Sequence, residues 1–371
     1  MIYFDNAATT GKKPDSVIKA VNYAIKNLSA NPGRSGHFLS QNAAATVYNS
    51  RKKLSDYFNS DGPETVVFTN NCTHSINYVL KGVLKKGDHI IVSDLEHNAV
   101  MRPLNTVDVE CTAAEVTLIN DEDTILNFKK AIKSNTKMIF CTAASNVLGK
   151  ILPLKQIGDI CKEKGILFGV DAAQGAGMMP IDMKNMNIDY LCIAAHKGLY
   201  CPMGLGVLIA RKPIYKTIIE GGTGTESAAF SQPDILPERL ESGTVNLPAI
   251  TAVSAGVDFV SRQGRLLEYE NNLTKFFYNS LNYYGNKVIF YTNPNNEGFV
   301  PVLSFNVNGY TSNEVANILN KNNFALRAGL HCAPTAHKKI GTLNSGTVRL
   351  SPSVFNTVNE INGLINCIKK L

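Results

Sequence analysis

An α/β fold with a mainly parallel sheet is what this sequence predicts, on three observations. Short β-branched and aromatic runs alternate with amphipathic segments from residue 65 to 210, each run closes in polar residues, and a second alternating block follows residue 247. Such βα repetition calls for parallel strands with helices on both faces. At 371 residues the chain holds one large α/β domain and a smaller one.

Composition narrows the class. Hydrophobic residues make up 44% and charged ones 18%, as in soluble globular proteins rather than disordered or fibrous ones. The net charge of +7 is spread along the chain without a basic block, which favours anionic ligands and gives no support to nucleic-acid binding. The cysteines at 72, 111, 141, 161, 192, 201, 332 and 367 form no Cys-x-x-Cys pair, so free thiols in a reducing compartment are expected. No basic-then-apolar leader opens the sequence and no run of about eighteen apolar residues occurs, so the expectation is a cytoplasmic protein with no membrane partner.

The elements follow in order. Residues 1–14 read as an extended arm with a short strand at 3–6. From Asp15, capped by itself or by Ser16, the positions Val17, Ile18, Val21, Ala24, Ile25 and Leu28 fall at helical spacing. The stretch 31–37, ending in His37, is too rich in Gly and Pro for a helix and is a loop available for a site. A strand at 65–69 leads through a polar turn to a helix carrying Ile76, Val79, Leu80 and Val83. The N–H groups of that helix start, with the Thr73 and Ser75 hydroxyls, either hold a phosphate or form an ordinary N-cap. Strand 89–92 leads into Glu96-His97-Asn98, strand 138–141 into Ser145-Asn146, and helix 154–164 precedes strand 166–170, which ends at Asp171.

Residues 188–195 read as a buried strand interrupted by Asp189, with Lys197 just past its end. Sites in open α/β sheets collect at the carboxyl ends of strands. A desolvated amine there has a lowered pKa and can act as a nucleophile or form a Schiff base. Strand 207–210 and a Gly-rich loop at 221–226 follow; the loop alone is a weak phosphate signal, and no Gly-x-Gly-x-x-Gly unit supports a dinucleotide fold. Residues 226–246 read as a loop between domains. A helix from 247 to about 284, interrupted near Gln263-Gly264, leads to strands at 287–291 and 300–307, helix 312–322, strands at 325–327 and 347–350, and a last helix from 358. The loop 327–334 carries Cys332 beside His331, either an unremarkable thiol or a reactive one. His331, Cys332 and His337 lack a fourth ligand at familiar spacing, so no metal is expected.

Pyridoxal phosphate needs a lysine for its aldehyde, a carboxylate for its ring nitrogen and donors for its phosphate. Lys197, Asp171 and the Thr73 turn supply these types, although Asp171 equally suits a helix cap. Phe4-Asp5-Asn6-Ala7-Ala8, Val170-Asp171-Ala172-Ala173-Gln174, Ala195-His196-Lys197 and Arg327-x-Gly-x-His331-Cys332-Ala333 occur in this order, and from residue 3 onward the chain resembles the cysteine desulfurases and selenocysteine lyases of the class V aminotransferases. The resemblance implies the PLP-dependent transferase fold type I, with an arm at 1–14, a large domain at 15–246 and a smaller C-terminal α+β domain at 247–371.

It also implies roles. Lys197 would hold the cofactor's aldehyde, Asp171 its ring nitrogen and Gln174 its hydroxyl, with His97 stacked on the ring. The turn of Cys72 and Thr73 would hold the phosphate together with His196, joined by Thr244 from the second subunit of a homodimer. Arg349 would clamp the substrate carboxylate in bidentate fashion, Asn146 would lie near the substrate, Arg327 would orient the substrate or the cysteine loop, and His37 is a further substrate-contact candidate. Ala194 departs from the usual Ser or Thr phosphate ligand, and Cys72-Thr73-His74 from the usual small-Thr-Glu run. The expected reaction removes sulfur from L-cysteine, leaving alanine and a persulfide on Cys332 that an acceptor protein takes up. The alternatives are selenide release from L-selenocysteine, a class V transamination with Cys332 incidental, and a non-catalytic sulfur carrier with Lys197 incidental.

Overall fold

The computed structural model describes residues 1–371 apart from 34, 263–265 and 284–286. Among the described residues a sheet of seven strands runs in the order Val66–Thr69, Gly206–Ala210, Tyr190–Ala194, Leu167–Asp171, Thr136–Thr142, His89–Ser93, Glu110–Ala114. Only Gly206–Ala210 runs against its neighbours; the other pairings are parallel. The period of two along each strand divides its side chains between two cores. Ile139, Phe168, Val170, Leu191 and Ile193 face one, while Met138, Phe140, Tyr190, Cys192 and Ala194 face the other. Helices Asp15–Asn27, Phe38–Tyr57, Leu154–Lys164 and Leu247–Arg262 contribute to the first core, and Cys72–Val83 and Asn98–Leu104 to the second.

A smaller antiparallel sheet is ordered Arg327–Gly329, Thr347–Leu350, Leu303–Val307, Val288–Phe290. Helices Leu266–Asn282, Ser312–Lys321 and Val358–Lys369 cover it. Two of these open on complete capping boxes, Thr311 with Glu314 and Thr357 with Glu360, each satisfying two N–H groups that a helix start leaves bare. The arm belongs here as well: Ile2–Tyr3 pairs with Phe324–Ala325, and Phe4 is buried in this core.

Several expectations are corrected. The first helix is capped not by Asp15 or Ser16 but by the carbonyl of Pro14, which accepts from Val17 N at 3.0 Å and Ile18 N at 3.2 Å. Val17 and Ala24, seven apart, form its buried line, while Ile18 and Ile25 lie one position round and are exposed. Residues 226–246 are not a spacer between domains. Glu241 pairs with Arg51 Nη2 at 2.5 Å and accepts from the edge-strand amide of Phe68 at 2.5 Å, so this segment is fastened to the large sheet. Helix Leu247–Arg262 likewise buries Ile250, Val253 and Val257 in the large core. The strand expected at 300–307 begins at Leu303, because Val300 and Val302 pack with Ala7 and Ala144 instead. The strand expected at 325–327 breaks at Leu326, where the chain passes from pairing with the arm to pairing with Thr347–Leu350. The predicted interruption at Gln263-Gly264 and the helix end near residue 284 lie outside the described residues. No helix among the described residues is long and apolar enough to cross a membrane.

Candidate active site

Strand Tyr190–Ala194 is fully buried and delivers Ala195, His196 and Lys197 at its carboxyl end. The turn closes through Lys197 N to Ala194 O at 3.1 Å and Cys201 N to Ala195 O at 3.0 Å. The arm fastens it: the carbonyl of His196 accepts from Thr10 N, Thr10 Oγ1, Thr9 Oγ1 and Lys13 Nζ at 3.0 to 3.3 Å. A Cβ on Gly198 would stand 2.2 Å from Ala176 O, so only glycine allows this approach. Burial lowers the Lys197 pKa, Asp171 opposes that shift, and Arg349 and Arg327 add to it.

A pocket of about 810 Å³, its open mouth included, surrounds Lys197. It brings together Cys72, Thr73, His97, Asn146, Asp171, Gln174, His196, Lys197, Arg327 and Arg349 from the predicted set. Asp171 is 3% exposed at the end of Leu167–Asp171. Its Oδ1 accepts from Ala173 N at 2.9 Å and from the Cys72 thiol at 3.5 Å, and Oδ2 has no hydrogen-bond partner among the described residues. Burial, followed by the Asp171 charge, raises the Cys72 pKa, so this thiol stays a donor. The helix-cap alternative for Asp171 is corrected, because its Oδ1 closes a turn and no helix among the described residues starts between it and strand Tyr190–Ala194. His97 Nδ1 accepts from Ala99 N at 3.0 Å, which leaves the proton on Nε2, and burial lowers its pKa. Gln174 Nε2 donates to Ala7 O at 2.9 Å.

Arg349 is 1% exposed. Its Nη2 meets Asp5 Oδ1 at 2.6 Å, its Nη1 donates to Asn146 O at 3.1 Å, and its buried Nε has no partner among the described residues. Asn146 Nδ2 in turn donates to His331 O at 2.7 Å, and Asn98 N donates to Cys332 O at 2.7 Å. These bonds hold the cysteine loop at the pocket's edge, where Cys332 is exposed and Arg327 Nη2 stands 3.7 Å from its Sγ.

Two candidates stand apart. His37 is exposed and caps helix Phe38–Tyr57 by accepting from Ser40 N. Thr244 is exposed and lines a different cleft with Phe68, His74 and Asn246. His331 and His337 are buried with ring centroids 5.7 Å apart and bond to Thr347 and Thr342. No group of three or more metal-ligating side chains occurs among the described residues. Sequence reasoning passed over Asp5, whose carboxylate faces Arg349, and Glu96, a fully buried acid that accepts from Ser93 Oγ and from Thr142 N at 2.9 Å. Burial pushes Glu96 up to about 8. A carboxylate directly before His97 in a strand-ending turn was the only signal available for it.

The sequence model of the class V aminotransferases matches residues 2–364. The chain belongs to this family. It is 31% identical to a probable cysteine desulfurase of Pyrococcus abyssi over 386 aligned residues, covering 100% of this chain and 94% of the relative. A cysteine desulfurase of Haloferax volcanii is 28% identical, with 99% and 88% covered. Among solved structures, the apo cysteine desulfurase of Thermococcus onnurineus superposes with a TM-score of 0.91 at 32% identity, covering 100% of this chain and 94% of that one. The architecture is thus that of fold type I, and the cofactor of this family is pyridoxal 5'-phosphate.

The residues present fit that group. Among the described residues Asp171 Oδ2 and the buried His196 Nδ1 have no hydrogen-bond partner, and burial lowers the pKa of the Lys197 amine. The amino end of Cys72–Val83 opens onto the same pocket at Cys72 and Thr73, and a helix N-terminus needs no particular side chain to hold a phosphate. Ala194 lines the pocket without obstructing that arrangement.

Proposed function

We propose that this chain is a pyridoxal phosphate-dependent cysteine desulfurase, converting L-cysteine to L-alanine and taking the sulfur as a persulfide on Cys332. The observation that carries this reading is the exposed Cys332 thiol, placed beside Arg327 at the edge of the Lys197 pocket. A transaminase has no use for a nucleophile there.

Pyridoxal phosphate supplies an aldehyde for the substrate amine and a ring that takes up electrons from Cα. Asp171 keeps the ring nitrogen protonated, Gln174 and His97 fix the ring, and the Cys72-Thr73 turn with His196 holds the phosphate. Arg349 binds the substrate carboxylate with the N–H groups that Asp5 and Asn146 leave free. Lys197, its pKa lowered by burial, takes the Cα proton and returns a proton to carbon. Cys332, as thiolate, attacks the substrate sulfur: an S–S bond forms, the Cβ–S bond breaks, and its electron pair stays on Cβ to be protonated. Cysteine and a thiol thus give alanine and a persulfide with no outside oxidant. The exposed Thr244 fits a role completing the phosphate site of a second subunit in a homodimer. An exposed persulfide suits transfer to an acceptor protein in the cytoplasm.

The test is incubation of the cofactor-loaded protein with L-cysteine and a reductant. Alanine and sulfide in equal amounts are expected, both lost in Cys332→Ala; no alanine from the parent, or parental rates in the variant, would refute the assignment. L-Selenocysteine in parallel resolves the substrate, since selenide release that survives Cys332→Ala marks a step needing no protein nucleophile.

A further inference from the structure

Arg349 comes from the middle of the smaller sheet, where it stands opposite Ser304 on one neighbouring strand and opposite Arg327 on the other. Two cations so paired repel, and taking a guanidinium out of water is costly. One carboxylate offsets both. Asp5 Oδ1 lies 2.6 Å from Arg349 Nη2, with the Asp5 side chain 19% exposed and that of Arg349 1%. Arg349 lines the Lys197 pocket and Asp5 does not, so the carboxylate meets the guanidinium from outside the pocket. The arm fixes Asp5 there from both sides. Ser351 N donates to Phe4 O at 2.9 Å, Asn6 N donates to Ser351 O at 3.2 Å, and Tyr3 OH donates to Asp5 O at 3.0 Å. A guanidinium has five N–H donors; Asp5 and Asn146 engage Nη2 and Nη1, and Nε has no partner among the described residues.

We propose that Asp5 is a specificity-determining positioning residue: it cancels the Arg349 charge from outside the pocket, so that a ligand carboxylate is held by directed N–H bonds and not by net attraction. The inference deepens the proposed function and rests on it for Arg349 as the site of the substrate carboxylate. Its consequence is turnover. Cysteine and alanine carry the same α-carboxylate, so a clamp with its full positive charge would retain product as firmly as it takes substrate. Asp5 and a bound carboxylate face one guanidinium from different edges and repel each other, which weakens the hold on an anion and spares a neutral group.

Asp5→Asn keeps an oxygen for Arg349 Nη2 and removes the charge. In the cofactor-loaded protein, binding of L-alanine and of L-alaninamide is followed by the change in cofactor absorbance, and exchange of the alanine α-hydrogen with D₂O is followed alongside. L-Alanine is expected to bind about tenfold more tightly in Asp5→Asn, and L-alaninamide within about twofold of the parent, since only the former carries a like charge. Exchange should then saturate at a correspondingly lower alanine concentration. Asp5→Ser is expected to behave in the same way, and Asp5→Glu, which restores the charge, to return the ratio of the two affinities to that of the parent. In the cofactor-free chain with inorganic phosphate present, sodium acetate is expected to raise the melting temperature more in Asp5→Asn than in the parent. Acetamide should show no such difference, and Arg349→Gln should remove the acetate effect.

Unchanged or weaker L-alanine binding in Asp5→Asn, or a tightening that L-alaninamide shares, overturns the proposal; an ion pair that only stabilises the fold would lower the melting temperature and leave the preference between the two ligands alone. A parent that binds no L-alanine refutes the proposed function instead, and the acetate comparison still decides the role of Asp5.

Discussion

Lys197 inside the pocket and Cys332 in the loop at its edge are held in opposite ways. The lysine follows a fully buried strand, and the carbonyl before it collects four hydrogen bonds from the arm. The cysteine lies exposed in a loop where His331 and Cys332 have φ of +48° and +58°. Left-handed backbone costs a non-glycine residue about 1–3 kcal/mol, and few bonds offset it here, chiefly those from Asn146 and Asn98. An amine that moves a proton on and off one carbon needs a fixed, dry position. A thiol that must meet a substrate sulfur and then an outside acceptor needs reach.

The largest effect that sharpens this contrast is expected from Lys197→Ala, which should lower alanine formation by at least about 10²-fold, the usual scale for a general base. Asn146→Ala releases the His331 carbonyl, a bond worth about 1 kcal/mol or roughly fivefold in rate. It should slow sulfide release more than α-hydrogen exchange, and equal slowing of both would mean the loop and the lysine turn are one unit. Lys13→Met removes one of four donors from the His196 carbonyl, so both steps should slow alike and by less than that. Glu96→Gln should change rates least and alter stability instead. Glu96 is raised from 4.5 to about 8 on folding, so its contribution is complete below 4.5 and is lost as pH rises through about 8, with a slope of at most about 1.4 kcal/mol per pH unit. The melting temperature of the parent should therefore fall across that window more steeply than that of the variant, which parallel melts over pH would record.

Elements whose own pattern carried them were legible in the sequence. Helix Leu154–Lys164 and strand Thr347–Leu350 match their predicted bounds, and the last helix starts at its capping box. Helix Phe38–Tyr57 escaped notice because its buried face mixes Ala43, Val47 and Leu54 with Ser40, Ser50 and Ser55, which blurs the apolar stripe. Strand Glu110–Ala114 did so because it is an edge strand with mostly exposed side chains. In the site, residues closing strands in sequence were found, as with Asp171 and Lys197. Asp5 and Glu96 were not, since their meaning depends on burial and on partners distant in the chain: Arg349 and Thr142.

The most direct test of the division between the two side chains follows alanine α-hydrogen exchange and sulfide release from cysteine side by side in the parent, Lys197→Ala and Cys332→Ala proteins. The account predicts both in the parent, neither in Lys197→Ala, and exchange without sulfide in Cys332→Ala. Exchange that disappears with Cys332, or persists without Lys197, would contradict it.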